Sequence, residues 1–302
     1  MSIPASAPIP RDLLDAYAYC ERIARSHYEN FPVASVLLPK GMRPHIAAVY
    51  AFARAADDMA DEGQRTPEER YRLLEDWREH LWECVDRQNT RPSYSPLFRA
   101  LGHTIRVCGL PVSLLEDLLS AFRQDVATTR YATWHDLLDY CRRSADPVGR
   151  LVLRIGGYAG EEIERASDAV CTALQLTNFW QDLAVDWSRG RLYVPWEEAA
   201  RAGAIESTLN DRRLTPEWRR TLGRVADRTR DLFWQGRPVC DMVEGRLRFE
   251  LRVTWLGGVF VLDRLATIGF DVFTSRPTLG TRDLPGLVWK ATRWERGAQR
   301  SI

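Results

Sequence analysis

The strongest constraint on how this chain folds is a pair of acidic clusters, each following a run of small and apolar residues. The first cluster is the segment 57–61, DDMAD, and it follows the run 47–56. The second cluster lies within 178–186 and follows the run 170–176. Charged residues at helical spacing most often form a solvated helix face. Runs of this composition, however, are typical of buried helices, and charges that extend a buried helix need partners, so we interpret both clusters as functional.

Residues four apart on a helix lie on the same face. This spacing places Asp57 with Asp61, and Asn178 with Asp182 and Asp186, in two stripes of oxygen ligands. Two such stripes facing each other across a cavity would repel unless a cation lay between them, and oxygen ligands favour Mg²⁺ over softer metals. The pattern therefore predicts a magnesium-dependent enzyme that acts on a diphosphate.

Helical periodicity continues along the chain while the alternation typical of strands is scarce, so we predict an all-α fold. Helices are expected over residues 11–29, 44–61, 67–87, 94–108, 112–127, 134–144, 147–158, 161–186, 196–202, 216–235, 237–249, 251–267 and 284–294. No linker rich in Pro, Gly or Ser divides the chain. We therefore expect a flexible N-terminal segment over 1–10 and a single domain over 11–302.

The charge and the apolar content of the sequence limit which kinds of partner are expected, nucleic acid and membranes in particular. Lys plus Arg total 42 against 41 for Asp plus Glu, a net charge of +1, and no basic-aromatic module occurs, so nucleic acid is not an expected partner. The N-terminus lacks the features of a signal peptide, and the longest apolar stretch, 253–273, contains Asp263 and Arg264, which argues against a spanning helix. We expect a cytoplasmic protein, and the sequence leaves a loose peripheral association with a membrane open.

The cysteines are scattered, with no Cys-x-x-Cys pair and no cluster with histidine, so neither zinc nor a disulfide framework is expected. Buried, reduced thiols in helical stretches are the better interpretation. The residues concerned are Cys20, Cys84, Cys108, Cys141, Cys171 and Cys240.

The motifs around both clusters resemble those of the squalene and phytoene synthase family, the head-to-head trans-isoprenyl diphosphate synthases. The segment 50–61, YAFARAADDMAD, is similar to the first aspartate-rich motif of that family. The segment 178–195, NFWQDLAVDWSRGRLYVP, is similar to the second. The resemblance extends to parts of 125–149 and to 246–258, so it spans nearly the whole chain.

This resemblance implies an isoprenoid synthase fold with a central cavity, in which the two motifs bind Mg²⁺ from opposite walls and the diphosphate leaves as its charge is neutralised. The implied metal ligands are Asp57, Asp58, Asp61, Asn178, Asp182 and Asp186. Arg54 and Arg191 are the expected diphosphate ligands, because a guanidinium binds phosphate oxygens through two N–H groups, and salt bridges to the same aspartates are a compatible role. Tyr50 and Tyr193 join Asp57, Asp61, Asp182 and Asp186 as catalytic candidates, with simple packing as an open alternative for the tyrosines.

Two departures from the family pattern bear on the substrate. Enzymes of the family that condense two prenyl diphosphates carry a His-Ser-Lys-Ser-Phe-like segment, whereas this chain has HYENF at 27–31. Glu29 would repel a second diphosphate. Asp146 stands where the relatives keep small neutral residues. With the segment 178–182, these features are similar to the bacterial hydroxysqualene synthases of hopanoid pathways.

That branch implies ionisation of presqualene diphosphate, rearrangement of the cation and capture of water, which yields hydroxysqualene and diphosphate. Glu29, Asn30, Asp146 and Gln181 are the expected polar groups beside the substrate, although each residue type is more often a surface or hydrogen-bonded residue. No Gly-rich dinucleotide segment occurs, so no nicotinamide cofactor is expected. Two alternatives stay open. One is a phytoene, dehydrosqualene or presqualene diphosphate synthase that condenses two prenyl diphosphates, and the other is a non-catalytic lipid-binding or assembly subunit.

Overall fold

The computed structural model describes residues 8–26, 37–86 and 95–295. This part of the chain is predominantly helical and contains no β-strand, only an isolated bridge between Arg130 and Leu192. The all-α prediction is therefore confirmed. Most of the expected N-terminal segment 1–10, and the segment that contains Glu29 and Asn30, lie outside the described residues.

The helices in chain order are α1 (Leu14–Ser26), α2 (Met42–Asp61), α3 (Pro67–Val85), α4 (Pro96–Cys108), α5 (Val112–Asp125), α6 (Trp134–Ser144), α7 (Asp146–Ile155), α8 (Glu161–Ser188), α9 (Trp196–Ala202), α10 (Pro216–Gly236), α11 (Val239–Met242), α12 (Gly245–Thr267) and α13 (Leu284–Thr292). The chain groups into two compact units. The first unit consists of Met1–Ala127 and Pro147–Gly160, and the second of Thr128–Asp146 and Glu161–Ile302. The single domain over 11–302 stays a prediction.

Several helices begin where the local sequence predicts. The Thr66 hydroxyl accepts a hydrogen bond from the Glu69 N–H at 3.3 Å, and the Glu69 carboxylate accepts one from the Thr66 N–H at 2.8 Å. This reciprocal pair is a capping box, which satisfies N–H groups that a helix start leaves unbonded. Thr215 caps α10 in a simpler way, since its hydroxyl accepts from the Trp218 N–H at 3.4 Å.

One predicted boundary was wrong. The sequence analysis placed a break between helices 237–249 and 251–267, but α12 runs through that point from Gly245 to Thr267. The break lies earlier, at Val243 and Glu244, which have extended backbone, and Gly245 follows with a φ of 59°. Because residues 249–251 include neither Gly nor Pro, nothing in that stretch stops a helix.

In the first unit, α2 packs against α1, α3, α4 and α5. The second half of its buried face is built mainly of small side chains, Ala51, Ala56 and Ala60, with Phe52 as the large exception. Small residues let the neighbouring helices approach closely, and this packing fixes the position of the end of α2.

In the second unit, α8 packs against α6, α10 and α12. The buried Trp180 of α8 donates from Nε1 to the Thr229 hydroxyl of α10 at 2.9 Å. On α12, a Cβ built on Gly258 would lie 2.5 Å from the Phe233 ring and 2.6 Å from Leu174. These contacts explain why α12 needs glycine where it crosses α8 and α10.

All six cysteines are free and lie in helices, as predicted. Burial is confirmed for four of them, whereas Cys84 and Cys171 are only partly buried. Burial raises the pKa of the Cys84 thiol to about 12, so it stays protonated at neutral pH. Over the described residues, no helix is both long enough and apolar enough to cross a membrane.

Candidate active site

The first acidic cluster lies at the C-terminal end of α2. Asp57 and Asp58 are half-buried, Asp61 is exposed, and α2 ends at Asp61. The C-terminal end of a helix carries a partial negative charge, so carboxylates there are unfavourable unless a cation compensates them. The last turn of α2 contains no basic residue. The cation must therefore come from elsewhere.

Arg54, one turn earlier on α2, is the cation that the structure provides. Its Nη2 lies 2.6 Å from Asp58 and 2.9 Å from Glu62, and its Nη1 lies 3.5 Å from Asp57. Burial alone would lower the pKa of Arg54, but the carboxylates of Asp58, Asp57 and Glu62 raise it above its ordinary value. The salt bridges expected between Arg54 and the aspartates of this cluster are thus present. Arg54 Nε is buried and makes no hydrogen bond within the described part of the chain, so the carboxylates leave one N–H unused.

Tyr50 lies one further turn back on α2 and is half-buried. Burial raises the pKa of its phenol, Arg54 lowers it, and Asp57 and Asp58 raise it again, with a net increase. Tyr50 is therefore a neutral phenol at physiological pH, the form of the side chain that can donate a hydrogen bond, and it lies beside the cluster.

Arg70 of α3 is a positioning residue that the sequence analysis missed. Its guanidinium donates to the carbonyls of Met59 at 3.1 Å, Glu62 at 3.2 Å and Gly63 at 2.8 Å. These carbonyls lie at and just beyond the end of α2, where no intrahelical donor remains. Arg70 thus fixes the helix end that carries the acidic cluster and adds positive charge to it.

The second acidic cluster lies at the C-terminal end of α8, which again has no basic residue in its last turn. The Asn178 side chain donates from Nδ2 to Asp182 Oδ2 at 2.8 Å, which leaves the Asn178 carbonyl oxygen as a free acceptor in this pair. Arg276 donates from Nε to Asp182 Oδ1 at 2.5 Å. Both carboxylate oxygens of Asp182 therefore have a donor within the second unit.

Arg276 belongs to the loop between α12 and α13 and was not among the predicted site residues. The same loop contacts α8 a second time, because Gln181 donates from Nε2 to the Pro277 carbonyl. The two neighbouring contacts hold the loop against the acidic end of α8. In the sequence analysis this loop falls between the predicted helices 251–267 and 284–294, and nothing in the sequence indicated its contact with α8.

The segment after α8 is held by its backbone. The Arg191 N–H donates to the Asp186 carbonyl at 2.8 Å, and the Leu192 N–H donates to the Thr129 carbonyl at 3.0 Å. Arg130 donates to the Gly190 carbonyl at 2.6 Å and to Glu206 at 2.8 Å. The half-buried Arg191 is thereby kept next to the acidic end of α8.

Tyr193 is a member of a buried aromatic group in the second unit. Its ring stacks on Phe179 with centroids 3.7 Å apart and planes 7° apart. Tyr131 and Tyr140 lie 5.8 Å and 6.3 Å from the Tyr193 ring. Tyr193 is therefore packed among aromatic rings, and its contact with Phe179 joins this group to the segment of α8 that carries the second cluster. A catalytic role for Tyr193 stays a prediction.

Asp146 is a buried carboxylate at the first residue of α7. Its Oδ1 accepts a hydrogen bond from the Thr172 hydroxyl of α8 at 2.8 Å. A buried carboxylate needs such partners, because leaving it unpaired would be far more costly than pairing it. The hydrogen bond to Thr172 gives Asp146 a structural role and places its carboxylate next to α8.

The structure thus brings together Tyr50, Arg54, Asp57 and Asp58 in the first unit, and Asn178, Gln181 and Asp182 with Arg276 in the second. No group of three or more His, Cys, Asp or Glu side chains within the described ranges is arranged as a metal site. The donors present are carboxylates and an amide carbonyl, which is the set that a hard cation such as Mg²⁺ prefers.

The sequence matches the profile of the family described as Squalene/phytoene synthase over residues 24–283. The hydroxysqualene synthase of Zymomonas mobilis subsp. mobilis is 40% identical over 207 residues, which cover 68% of this chain and 67% of that protein. The hydroxysqualene synthase of Rhodopseudomonas palustris is 36% identical over 227 residues, 74% of this chain and 75% of that protein.

Solved structures of similar proteins have the same fold as this chain. The crystal structure of the squalene synthase HpnC from Alicyclobacillus acidocaldarius is 41% identical in sequence and superposes with a TM-score of 0.81, covering 87% of this chain and 97% of that chain. A dehydrosqualene synthase has a TM-score of 0.82 at 21% identity, which shows the likeness of fold alone. The predicted isoprenoid synthase fold is confirmed, and the chain belongs to the squalene/phytoene synthase family.

Proposed function

We propose that this protein is a hydroxysqualene synthase, which converts presqualene diphosphate and water into hydroxysqualene and diphosphate. The observation that carries the choice is the 35–40% identity to three relatives named hydroxysqualene synthase. The geometry supports the reaction class, because each acidic cluster lies at a helix C-terminus and is paired with an arginine. We also propose a role in hopanoid biosynthesis and a cytoplasmic location.

We propose Mg²⁺ as the cofactor, with Asp57, Asp58 and Asp61 as ligands in the first unit and Asn178, Asp182 and Asp186 in the second. When bound, Mg²⁺ supplies positive charge that stabilises the leaving diphosphate. Arg54 and Arg191 bind phosphate oxygens, and Arg276 is a third candidate for this role. A guanidinium is suited to it because it stays charged and presents two parallel N–H donors.

The reaction begins as the C–O bond between the substrate and its diphosphate breaks and both bonding electrons leave with the diphosphate. The cyclopropylcarbinyl cation that forms rearranges, and the oxygen of a water molecule donates an electron pair to it. The new C–O bond releases one proton. The buried aromatic group of Phe179 and Tyr193 supplies apolar surface that protects such a cation from early quenching.

Water capture requires a polar group beside this apolar surface. Asp146 and Gln181 are the described candidates, since one is a buried carboxylate bonded to Thr172 and the other is fixed by Pro277. Glu29 and Asn30 complete the proposed polar set and lie outside the described residues.

The deciding experiment incubates purified protein with Mg²⁺ and presqualene diphosphate and identifies the products by mass spectrometry. Hydroxysqualene is the expected product, without any nicotinamide cofactor. A phytoene synthase of Mycobacterium tuberculosis is 32% identical over 200 residues, 66% of this chain and 64% of that protein, which makes condensation of two prenyl diphosphates the second candidate. Turnover of farnesyl or geranylgeranyl diphosphate without formation of hydroxysqualene would therefore overturn the proposal, and no turnover of any diphosphate would favour a non-catalytic subunit.

Substitutions test the proposed ligands. Asp57→Ala and Asp182→Ala should each lower turnover about 10²-fold or more, because each removes a group that stabilises developing charge. Both should also weaken Mg²⁺ binding measured by calorimetry. Asp227→Ala is the matched control, since Asp227 is exposed on α10 and makes no ion pair with any described residue. Near-normal activity of either variant would remove that residue from the site.

A further inference from the structure

The C-terminal helix α13 exposes an apolar face. Leu284, Val288 and Trp289 are exposed to solvent, with Trp289 at 56%, and Leu279 of the preceding loop is exposed as well. A neighbouring strip of the helix is buried, since α13 packs against α12 and Leu287 is only 4% exposed. At 3.6 residues per turn, Leu284, Val288 and Trp289 follow one another around the helix beside that buried strip and form an exposed apolar arc. We call this arc, together with Leu279, the α13 patch (Leu279, Leu284, Val288 and Trp289).

Positive charge borders the α13 patch. Arg282, Lys290 and Arg293 are all exposed, and Arg293 lies over the Trp289 ring at 4.7 Å. None of these three cations forms an ion pair with a described residue. The acid nearest in sequence, Asp283, does not offset them, because it binds Arg264 at 2.8 Å. The whole chain carries a net charge of only +1, so the positive charge at this surface is a local feature.

Three other exposed apolar side chains, Trp196, Ile205 and Trp82, have a different setting. Trp196 is 69% exposed but is followed directly by two glutamates, and Ile205 is exposed next to Glu206. Trp82 donates from Nε1 to Glu116 at 2.8 Å. Single exposed apolar residues of this kind are ordinary. The α13 patch differs because its four exposed apolar side chains lie within the segment 279–290, which also contains two exposed cations, Arg282 and Lys290, neither of which forms an ion pair with a described residue.

We propose that the α13 patch docks on the surface of a bilayer that contains anionic lipid. An amphipathic helix with aromatic and aliphatic side chains on one face and cations at its border lies in the headgroup region, with the apolar face towards the acyl chains. Trp289 suits this depth, since indole combines an apolar ring with a polar N–H. The charge is complementary to anionic headgroups, which attract each nearby Lys or Arg. This docking does not depend on the proposed reaction, although it would deliver an apolar product directly to a membrane.

Vesicle flotation of the full-length protein tests the proposal, with one set of vesicles made of phosphatidylcholine alone and another in which a third of the lipid is phosphatidylglycerol. The protein should float with the anionic vesicles and much less with the neutral ones, and raised salt should release it. Trp289→Gln combined with Leu284→Gln should weaken binding about tenfold or more, because the buried apolar area is lost. Arg282→Gln combined with Lys290→Gln should weaken it roughly 25-fold, at about fivefold per cation.

The controls are Trp196→Gln and Arg213→Gln, which remove an exposed indole and an exposed cation elsewhere in the second unit. Both should bind vesicles as the unsubstituted protein does, and circular dichroism should show that all variants are folded. No binding to anionic vesicles, or equal losses in the control variants, would overturn the proposal. So would a dimer in light scattering that Trp289→Gln converts to a monomer, since the patch would then be covered by a second copy of the chain.

Discussion

Acid should destabilise this protein through one buried histidine in the first unit. The Tyr17 hydroxyl of α1 lies 3.1 Å from His45 Nδ1 of α2, 2.7 Å from His103 Nδ1 of α4 and 2.8 Å from the Thr104 hydroxyl. His45 Nδ1 also lies 3.0 Å from the Thr104 hydroxyl. The group joins three helices through neutral hydrogen bonds, and a proton added to His45 would have no carboxylate to pair with among these partners.

The size of the effect follows from the pKa of His45, a residue that is 1% exposed. Burial, and then the neighbouring His103, lowers that pKa from 6.5 to about 4. The unfolded chain therefore binds a proton that the folded chain does not, so the free energy of unfolding falls as the pH drops below 6.5, until about pH 4. At about 1.4 kcal/mol per pKa unit, the total loss is about 3 kcal/mol, of which about 2 kcal/mol appears between pH 7 and pH 5.

Urea unfolding followed by circular dichroism at a series of pH values measures this loss. His45→Gln keeps a polar side chain beside Tyr17 but cannot titrate, so its stability should fall by about 2 kcal/mol less than that of the unsubstituted protein between pH 7 and pH 5. His135→Gln, at an exposed position on α6, is the control and should follow the unsubstituted protein. If His45→Gln and the unsubstituted protein lose stability in parallel, His45 is not the titrating group and the reasoning fails.

Three other substitutions test the packing and charges described above. Arg276→Gln should strengthen Mg²⁺ binding about two- to fivefold in calorimetry without substrate, because a partly exposed ion pair no longer competes for Asp182; an unchanged affinity would show that Arg276 does not compete. Gly258→Ala should lower the free energy of unfolding by about 1–3 kcal/mol, since its Cβ would overlap Phe233, whereas Gly286→Ala, with open space around it, should not destabilise. Glu198→Ala should lower the free energy of unfolding in urea by about 1–3 kcal/mol, because this 2% exposed carboxylate pairs with three arginines that are themselves partly exposed; a loss below about 0.5 kcal/mol would contradict that role.

Local chemistry made most of the fold predictable. Helix periodicity and caps such as Thr66 and Thr215 depend on residues within one turn, and these starts were placed correctly. The false break near residue 250 was an error in interpreting the local sequence, because residues 249–251 include neither Gly nor Pro and the break lies at Val243 and Glu244. The close packing of Gly258 against Phe233, in contrast, is a long-range contact that no local pattern reveals.

The site was predictable only where its contacts are local. Arg54 reaches Asp57 and Asp58 at spacings of three and four, which helix geometry brings together, so its salt bridges could be expected. Arg276 lies 94 residues from Asp182 in the sequence, and no spacing rule predicts such a contact. Arg70 was missed for a related reason. Its partners are backbone carbonyls, which every residue has, so no side chain in the sequence marks the segment that Arg70 binds.

The arginines change the argument for a metal. From the sequence alone, repulsion between carboxylates seemed to require a cation, but each unit supplies one of its own: Arg54 beside Asp58 and Arg276 beside Asp182. Repulsion is therefore not evidence for Mg²⁺ by itself. What favours a diphosphate site is that both cations are guanidinium groups at negative helix ends, with N–H groups suited to phosphate. A diphosphate arriving with Mg²⁺ could take the guanidinium groups while the carboxylates take the metal, so every charge would exchange one partner for another. Before substrate binds, the ion pairs with arginine compensate the charge of the carboxylates. We therefore expect substitution of Arg276 to change the affinity for diphosphate more than the free energy of unfolding.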